Sequence, residues 1–167
     1  MRLPPKFWLC LLLLGLWSGS AHAAEGRDHA EILRIEHAIA DARTVDGILQ
    51  YFDPDVVFYD FMPPVVRGRE AFREHVKAVF ATMPSFDVQI LEMDIETDGN
   101  LAFANSVQRV IVTNQAGEVT LNGVFRNTNC YRRVDGQWLI KYEHISFPVD
   151  LAAGTIILNN GAGSPSR

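Results

Sequence analysis

Asp60 closes an apolar run, Val56-Val57-Phe58-Tyr59, and the Pro63-Pro64 pair follows it. Carboxylates are seldom buried without a partner or a task. Strand alternation puts Val56, Phe58 and Asp60 on one face. If that face is the core, Asp60 sits in a water-poor interior, where a carboxylate makes a competent general base. If the strand ends at the surface, Asp60 only begins the turn. The residues alone leave both readings open.

The other polar candidates lie late in the chain. Alternation places Trp138, Ile140, Tyr142, His144 and Ser146 on one face of a strand, and Val124, Arg126, Thr128 and Cys130 on one face of the strand before it. Taking these as the inward faces brings Arg126, Thr128, His144 and Ser146 towards Asp60, with Tyr142 and Trp138 beside them. An Asp60/His144 pair could act as base and acid in a proton shift, a dehydration or an aldol-type ring closure. Arg126 would then hold an oxyanion or a substrate carboxylate. Each residue also has a plainer role. Arg126 could neutralise Asp60 or Glu36 as a structural pair. His144 and Ser146 could satisfy buried neighbours, and Trp138 and Tyr142 could be core packing rather than substrate platforms. Glu36 lies between Ile32 and Ile39 on an apolar helical stripe, facing either the interior or the helix edge.

Several chemistries find no foothold. The chain has no HExxH and no paired cysteine motif, so no metal is expected, and Glu74-His75 reads as a polar patch on the third helix. There is no G-x-S-x-G and no glycine-rich phosphate loop. Cys130 reads as an inert, buried thiol. No cofactor is expected.

The elements that must position these residues follow from periodicity and turn chemistry. Arg2 and Lys6, the apolar run Phe7–Trp17 and Ala21-His22-Ala23 form a secretory signal over residues 1–23, giving an expected secreted or periplasmic location. Its loss takes Arg2 and Lys6 from 15 basic residues, leaving 13 against 20 acidic ones. So acidic a protein is a poor partner for nucleic acid or an anionic membrane. Only Cys130 remains, so no internal disulfide can form and a packed core must supply stability. Residues 24–151 read as one domain and 152–167 as a tail with an apolar patch at Thr155–Leu158.

Within the domain, helical spacing predicts helices at about Arg27–Ala42, Val45–Phe52 (stopped at Asp53-Pro54) and Arg69–Met83. Period-two patterns predict strands at Asp55–Phe61, Asp87–Glu96, Leu101–Thr113, Glu118–Arg133 and Trp138–Phe147. The expected fold is α+β: a cone-shaped, curved antiparallel sheet covered by three N-terminal helices and enclosing a pocket.

The order VDGILQYFDPDVVFYDFMPP, GREAFREH and, much later, YRRVDGQWLIKYEHISFPVD resembles the SnoaL-like branch of the nuclear transport factor 2-like superfamily. The resemblance spans roughly Glu31–Leu151. It implies the cone fold, and a homodimer through the outer sheet face, for which Leu139, Ile145 and Phe147 would serve. Ketosteroid isomerase belongs to this superfamily and uses an Asp base opposite a Tyr and a protonated Asp. Carried across, the base falls on Asp60, the tyrosine position on Glu36 and the protonated acid on Thr128, which is a different machine from the steroid isomerase. Two functions are therefore expected: a cofactor-independent isomerase, cyclase or lyase acting on a small apolar carbonyl compound with Asp60 as base, or a non-catalytic module that binds a hydrophobic ligand or dimerises.

Overall fold

The computed structural model describes residues 25–158 except residue 84. The expected secretory signal and the last residues of the tail lie outside that range. A first helix, α1, runs through residues 25–40 and buries Ile32, Ile35 and Ala40 at helical spacing. The five-residue α2 (Val45–Leu49) starts at Thr44, whose Oγ1 accepts the Gly47 N–H at 3.0 Å. It stops three residues before the expected end, and Asp53-Pro54 lies inside the next strand, β1 (Phe52–Tyr59). A short β2 (Val66–Arg67) folds back on β1. Gly68 then caps α3 (Arg69–Thr82) with φ +83, a left-handed value that favours glycine, while its N–H bonds Val56 O at 2.7 Å.

Four long strands follow: β3 (Ser85–Asp98), β4 (Leu101–Thr113), β5 (Val119–Val134) and β6 (Gln137–Ser146). They form the expected antiparallel meander. The full sheet has the order β2-β1-β6-β5-β4-β3, and β1 lies parallel to β6, so the sheet is mixed rather than wholly antiparallel. A hairpin of β7 (Val149–Asp150) and β8 (Thr155–Ile156) ends the described chain. Its Leu158 carbonyl accepts the Val124 N–H at 2.9 Å, fastening this part of the tail to β5.

The strand pairings contain the decisive departure from simple alternation. Tyr131 pairs with Ile140 but Cys130 with Tyr142, which leaves Lys141 as an extra residue in β6. A bulge of this kind reverses which side chains face the core beyond it. Before it Trp138 and Ile140 are buried; after it Glu143 is buried while Tyr142 and His144 are exposed. On β5, which is regular there, Phe125, Asn127, Asn129 and Tyr131 face inward, and Arg126, Thr128 and Cys130 outward.

The opposing strand is irregular at the same level. Pairing of β1 with β6 jumps from Phe52↔Ile140 to Val57↔Tyr142, and Pro54, which has no N–H to donate, lies in the unpaired stretch. Asp53, fully buried, ties the two together. Its Oδ2 and Oδ1 accept Arg132 Nε and Nη2 at 2.5 and 2.9 Å, and Lys141 Nζ lies 3.7 Å from Oδ1 while bonding Asp55 O at 2.5 Å. Burial works to raise the Asp53 pKa, but the Arg132 and Asp55 N–H hydrogen bonds together outweigh it and hold the carboxyl below its ordinary value. Asp53→Ala should cost about 2 kcal/mol, less than a fully buried pair because Arg132 is partly exposed. The lowered pKa means this contribution is present above the unfolded-state pKa and fades as pH falls through the folded one. Urea denaturation of both proteins should therefore show a gap near neutrality that narrows in acid; a gap constant with pH would contradict the ion-pair role.

Candidate active site

The helices cover the inner sheet face in two unlike halves. One half is solid core, where Ile32, Ile35, Trp138 and Ile140 pack with Tyr131 and Phe52. The other half is open, a cavity of about 240 Å³ whose apolar walls include Phe58, Phe72, Phe80, Phe86, Phe125 and Phe147. Polar side chains gather where the two halves meet.

Asp60 lines this cavity with its side chain only 4 % exposed. Its Oδ1 accepts the Phe61 N–H at 2.7 Å, and its Oδ2 lies 3.2 Å from Nε2 of His75. The imidazole is held by aromatic rings: Phe58 meets it edge-on at 5.1 Å, and Phe72 lies nearly parallel at 6.4 Å. Helical spacing on α3 explains the meeting, since His75 falls three residues after Phe72 and four before Val79, both of them cavity residues.

Two further carboxyl groups face the same space. Glu36, on the apolar stripe of α1, accepts Tyr131 Oη at 2.6 Å and Asn129 Nδ2 at 2.9 Å. Burial pushes its pKa up, and these two hydrogen bonds only partly offset that. Burial and the neighbouring Glu36 raise the Tyr131 phenol well above its usual value, so Tyr131 stays protonated and donates. Glu143, on β6 just past the bulge, accepts Asn127 Nδ2 at 3.3 Å. Burial, then the charges of Glu36 and Asp60, push its pKa to about 8, so near neutrality Glu143 is chiefly a carboxylic acid able to donate.

The pattern matches a known family. The SnoaL-like domain family covers residues 31–150. The chain belongs to it. Structures similar to this SnoaL-like domain carry the same cone. One is a protein of unknown function, described as NTF2-like, from Pseudomonas putida KT2440, 24% identical, covering 84% of this chain and 97% of that one with a TM-score of 0.70. Another, from Novosphingobium aromaticivorans, is described as a candidate aromatic ring hydroxylase, with 20% identity, 74% and 91% coverage and a TM-score of 0.67. A third, a candidate dehydratase of the NTF2-like family from Streptomyces avermitilis, has 14% identity, 74% and 98% coverage and a TM-score of 0.66. At these identities the likeness establishes the fold. No curated protein matches the chain.

Of the residues singled out in the sequence, the SnoaL-like domain brings only Asp60 and Glu36 into the cavity. Arg126 and Thr128 are on the outer face, in a depression shared with Glu92, Asp94 and Asn105; Thr128 Oγ1 bonds Asn105 Oδ1 at 3.0 Å. His144 and Tyr142 are exposed there too, with Ser146 half-buried, and His144 meets Tyr59 edge-on at 6.2 Å. Trp138 is core, 2 % exposed beneath the Arg133 guanidinium, and does not line the cavity. Conversely Glu143, Ile145 and Phe147, expected on the outer surface, line the cavity. The Lys141 bulge accounts for the inversion along β6, and on β5 the inward choice was the wrong parity. Cys130 is only half-buried, on the outer face, where burial still raises its thiol pKa.

His75, expected as part of a polar patch on the third helix, lines the cavity instead, and Glu143, Asn127 and Tyr131 join the site without having been singled out as candidates. His75 had a signal, its place in the α3 stripe. Glu143 had a weaker one: the apolar residues of β6 switch parity between Ile140 and Ile145, which a regular strand cannot accommodate. Among the described residues no three His, Cys, Asp or Glu side chains converge to hold a metal ion.

Glu143→Gln keeps the shape of the side chain and an acceptor for Asn127. The wild-type carboxyl binds its proton more tightly folded than unfolded, so its burial weakens the fold increasingly as pH rises from about 4.5 to about 8. The variant should gain stability over wild type across that window, on the order of a few kcal/mol, with a flat difference outside it. Chemical denaturation from pH 4 to 9 reads this directly, and a pH-independent difference would show that Glu143 is not the group being titrated.

Proposed function

We propose that this protein is an exported, cofactor-independent proton-transfer enzyme whose substrate is a small apolar carbonyl compound, with Asp60 as the base. One observation carries the reading: a carboxylate with 4 % side-chain exposure stands in an aromatic-walled cavity with an imidazole 3.2 Å away. Asp60 Oδ1 accepts the Phe61 N–H and Oδ2 lies 3.2 Å from His75 Nε2, which leaves lone pairs for a substrate C–H. The α-proton passes from carbon to Asp60 while the electron pair moves onto the carbonyl oxygen, where the Glu143 acid supplies a hydrogen bond. Return of the proton to a different carbon gives isomerisation. His75 positions Asp60. The candidate dehydratase among the similar structures is in keeping with chemistry that begins at a C–H beside a carbonyl.

The test follows exchange of the α-protons of β-tetralone with heavy water by nuclear magnetic resonance. Wild-type protein should accelerate exchange, and Asp60→Asn should lose on the order of a hundredfold or more, the usual contribution of a general base. His75→Gln should lose less, and Asp60→Asn should melt no lower than wild type, because a carboxylate kept for catalysis is commonly held at a cost to stability. If Asp60→Asn exchanges as fast as wild type, Asp60 is not the base; if neither exchanges, the cavity is a binding site for an apolar ligand.

We further infer that two copies associate through the outer sheet face, as the family resemblance implies. In place of Ile145 and Phe147, that face offers Tyr59, Phe103 and Tyr142, which are 40, 48 and 44 % exposed. Sedimentation velocity should find a dimer that Tyr142→Glu weakens. A monomeric wild type at micromolar concentration would refute the assembly.

A further inference from the structure

The cavity is divided chemically as well as spatially. Its walls are aromatic, which suits a flat ring system. The hydrogen bonds at its polar end are unevenly matched. Most side-chain amide and phenol donors there are already engaged: Asn127 Nδ2 on Glu143, Asn129 Nδ2 and Tyr131 Oη on Glu36, and Gln108 Nε2 on Ser106. The carbonyl oxygens of both amides, Asn127 Oδ1 and Asn129 Oδ1, are buried and receive no donor from the protein. Asn127 is 7 % exposed and is one of the residues lining the cavity, so its unpartnered acceptor stands in the cavity wall. Leaving such an acceptor unmet is unfavourable.

Charge points the same way. Three carboxyl side chains (Glu36, Asp60, Glu143) line the cavity, and among the described residues no lysine or arginine does. The one basic side chain in its wall, His75, is engaged with Asp60. An anionic ligand would bring a negative charge into a space where Glu36 and Glu143 already resist ionisation, with no lysine or arginine to compensate.

We propose that this cavity selects a neutral, flat apolar molecule through a hydroxyl group that donates to Asn127 Oδ1, and that it rejects the corresponding carboxylate. Resting on the cavity's role as the substrate site, this deepens the proton-transfer reading: the substrate is a hydroxylated carbonyl compound, held by its hydroxyl beside Asn127 while Asp60 addresses its C–H. Short aromatic acids and fatty acids are excluded as substrates. An ether of the same shape fills the walls but leaves Asn127 unmet.

Calorimetric titration of the protein at pH 7 with β-naphthol, β-naphthyl methyl ether and β-naphthoate tests the assignment. The naphthol should bind about tenfold more tightly than the ether, the equivalent of one net hydrogen bond. The naphthoate should bind at least about a hundredfold more weakly than the naphthol. Asn127→Leu should bring naphthol and ether to equal affinity while keeping the ether's binding. An ether that binds as well as the naphthol, a naphthoate that rivals it, or no naphthol binding would overturn the proposal. The wild-type comparison decides even if Asn127→Leu fails to fold. No proton transfer takes part in these titrations. The expected ranking without tetralone exchange would therefore keep this inference and remove the catalytic reading, and exchange without the ranking would do the reverse.

Discussion

The Asp53 carboxylate, buried between two irregular strands, is the constraint on which the site depends. Lys141 adds a residue to β6, and Pro54 lies in the facing part of β1 that has no paired register. Asp53 joins them by receiving Arg132 from β5 and lying near Lys141 in the bulge itself. The ion pair's larger effect is geometric. Beyond the bulge every side chain of β6 changes sides, and Glu143 is turned inward in place of His144.

That inversion produces a carboxyl group under unusual pressure. Glu143 is surrounded by apolar wall, with Glu36 and Asp60 near enough to oppose its ionisation. Three acids in one cavity cannot all ionise cheaply, and the fold resolves the conflict by giving them different partners. Asp60 has an imidazole and a backbone N–H. Glu36 has a phenol and an amide. Glu143 has one long amide contact and remains the most reluctant to ionise. The division of labour between base and acid is thus a division of hydrogen bonds.

Much of the fold was legible because its rules are local. The stripe of Ile32, Ile35 and Ile39, the helical spacing of Arg69–Met83 and the alternation of Leu101–Thr113 each state their element locally, and the order of elements pointed to the cone. Asp60 and Glu36 were legible for the same reason, each being an acid set in an apolar pattern. His144, Arg126, Thr128 and Ser146 were misplaced because facing in a strand is cumulative: one extra residue inverts everything after it, and the pairing that reveals it lies on another strand. The parallel contact between β1 and β6 was equally hidden, since strands so far apart in the chain leave no local mark of pairing. His75 failed differently. Its helical position was readable, but its significance required Asp60 to arrive from another element.

Gly123 carries a consequence for the size of molecule this fold can accept. A Cβ there would stand 3.1 Å from Leu158 Cδ2 and 3.4 Å from Phe147 Cε1, so the tail's leucine and a ring of the cavity wall both approach the bare backbone of this one residue. Any side chain at position 123 would have to displace the tail or the ring, and displacing the ring would change the bore of the cavity without altering a residue that lines it.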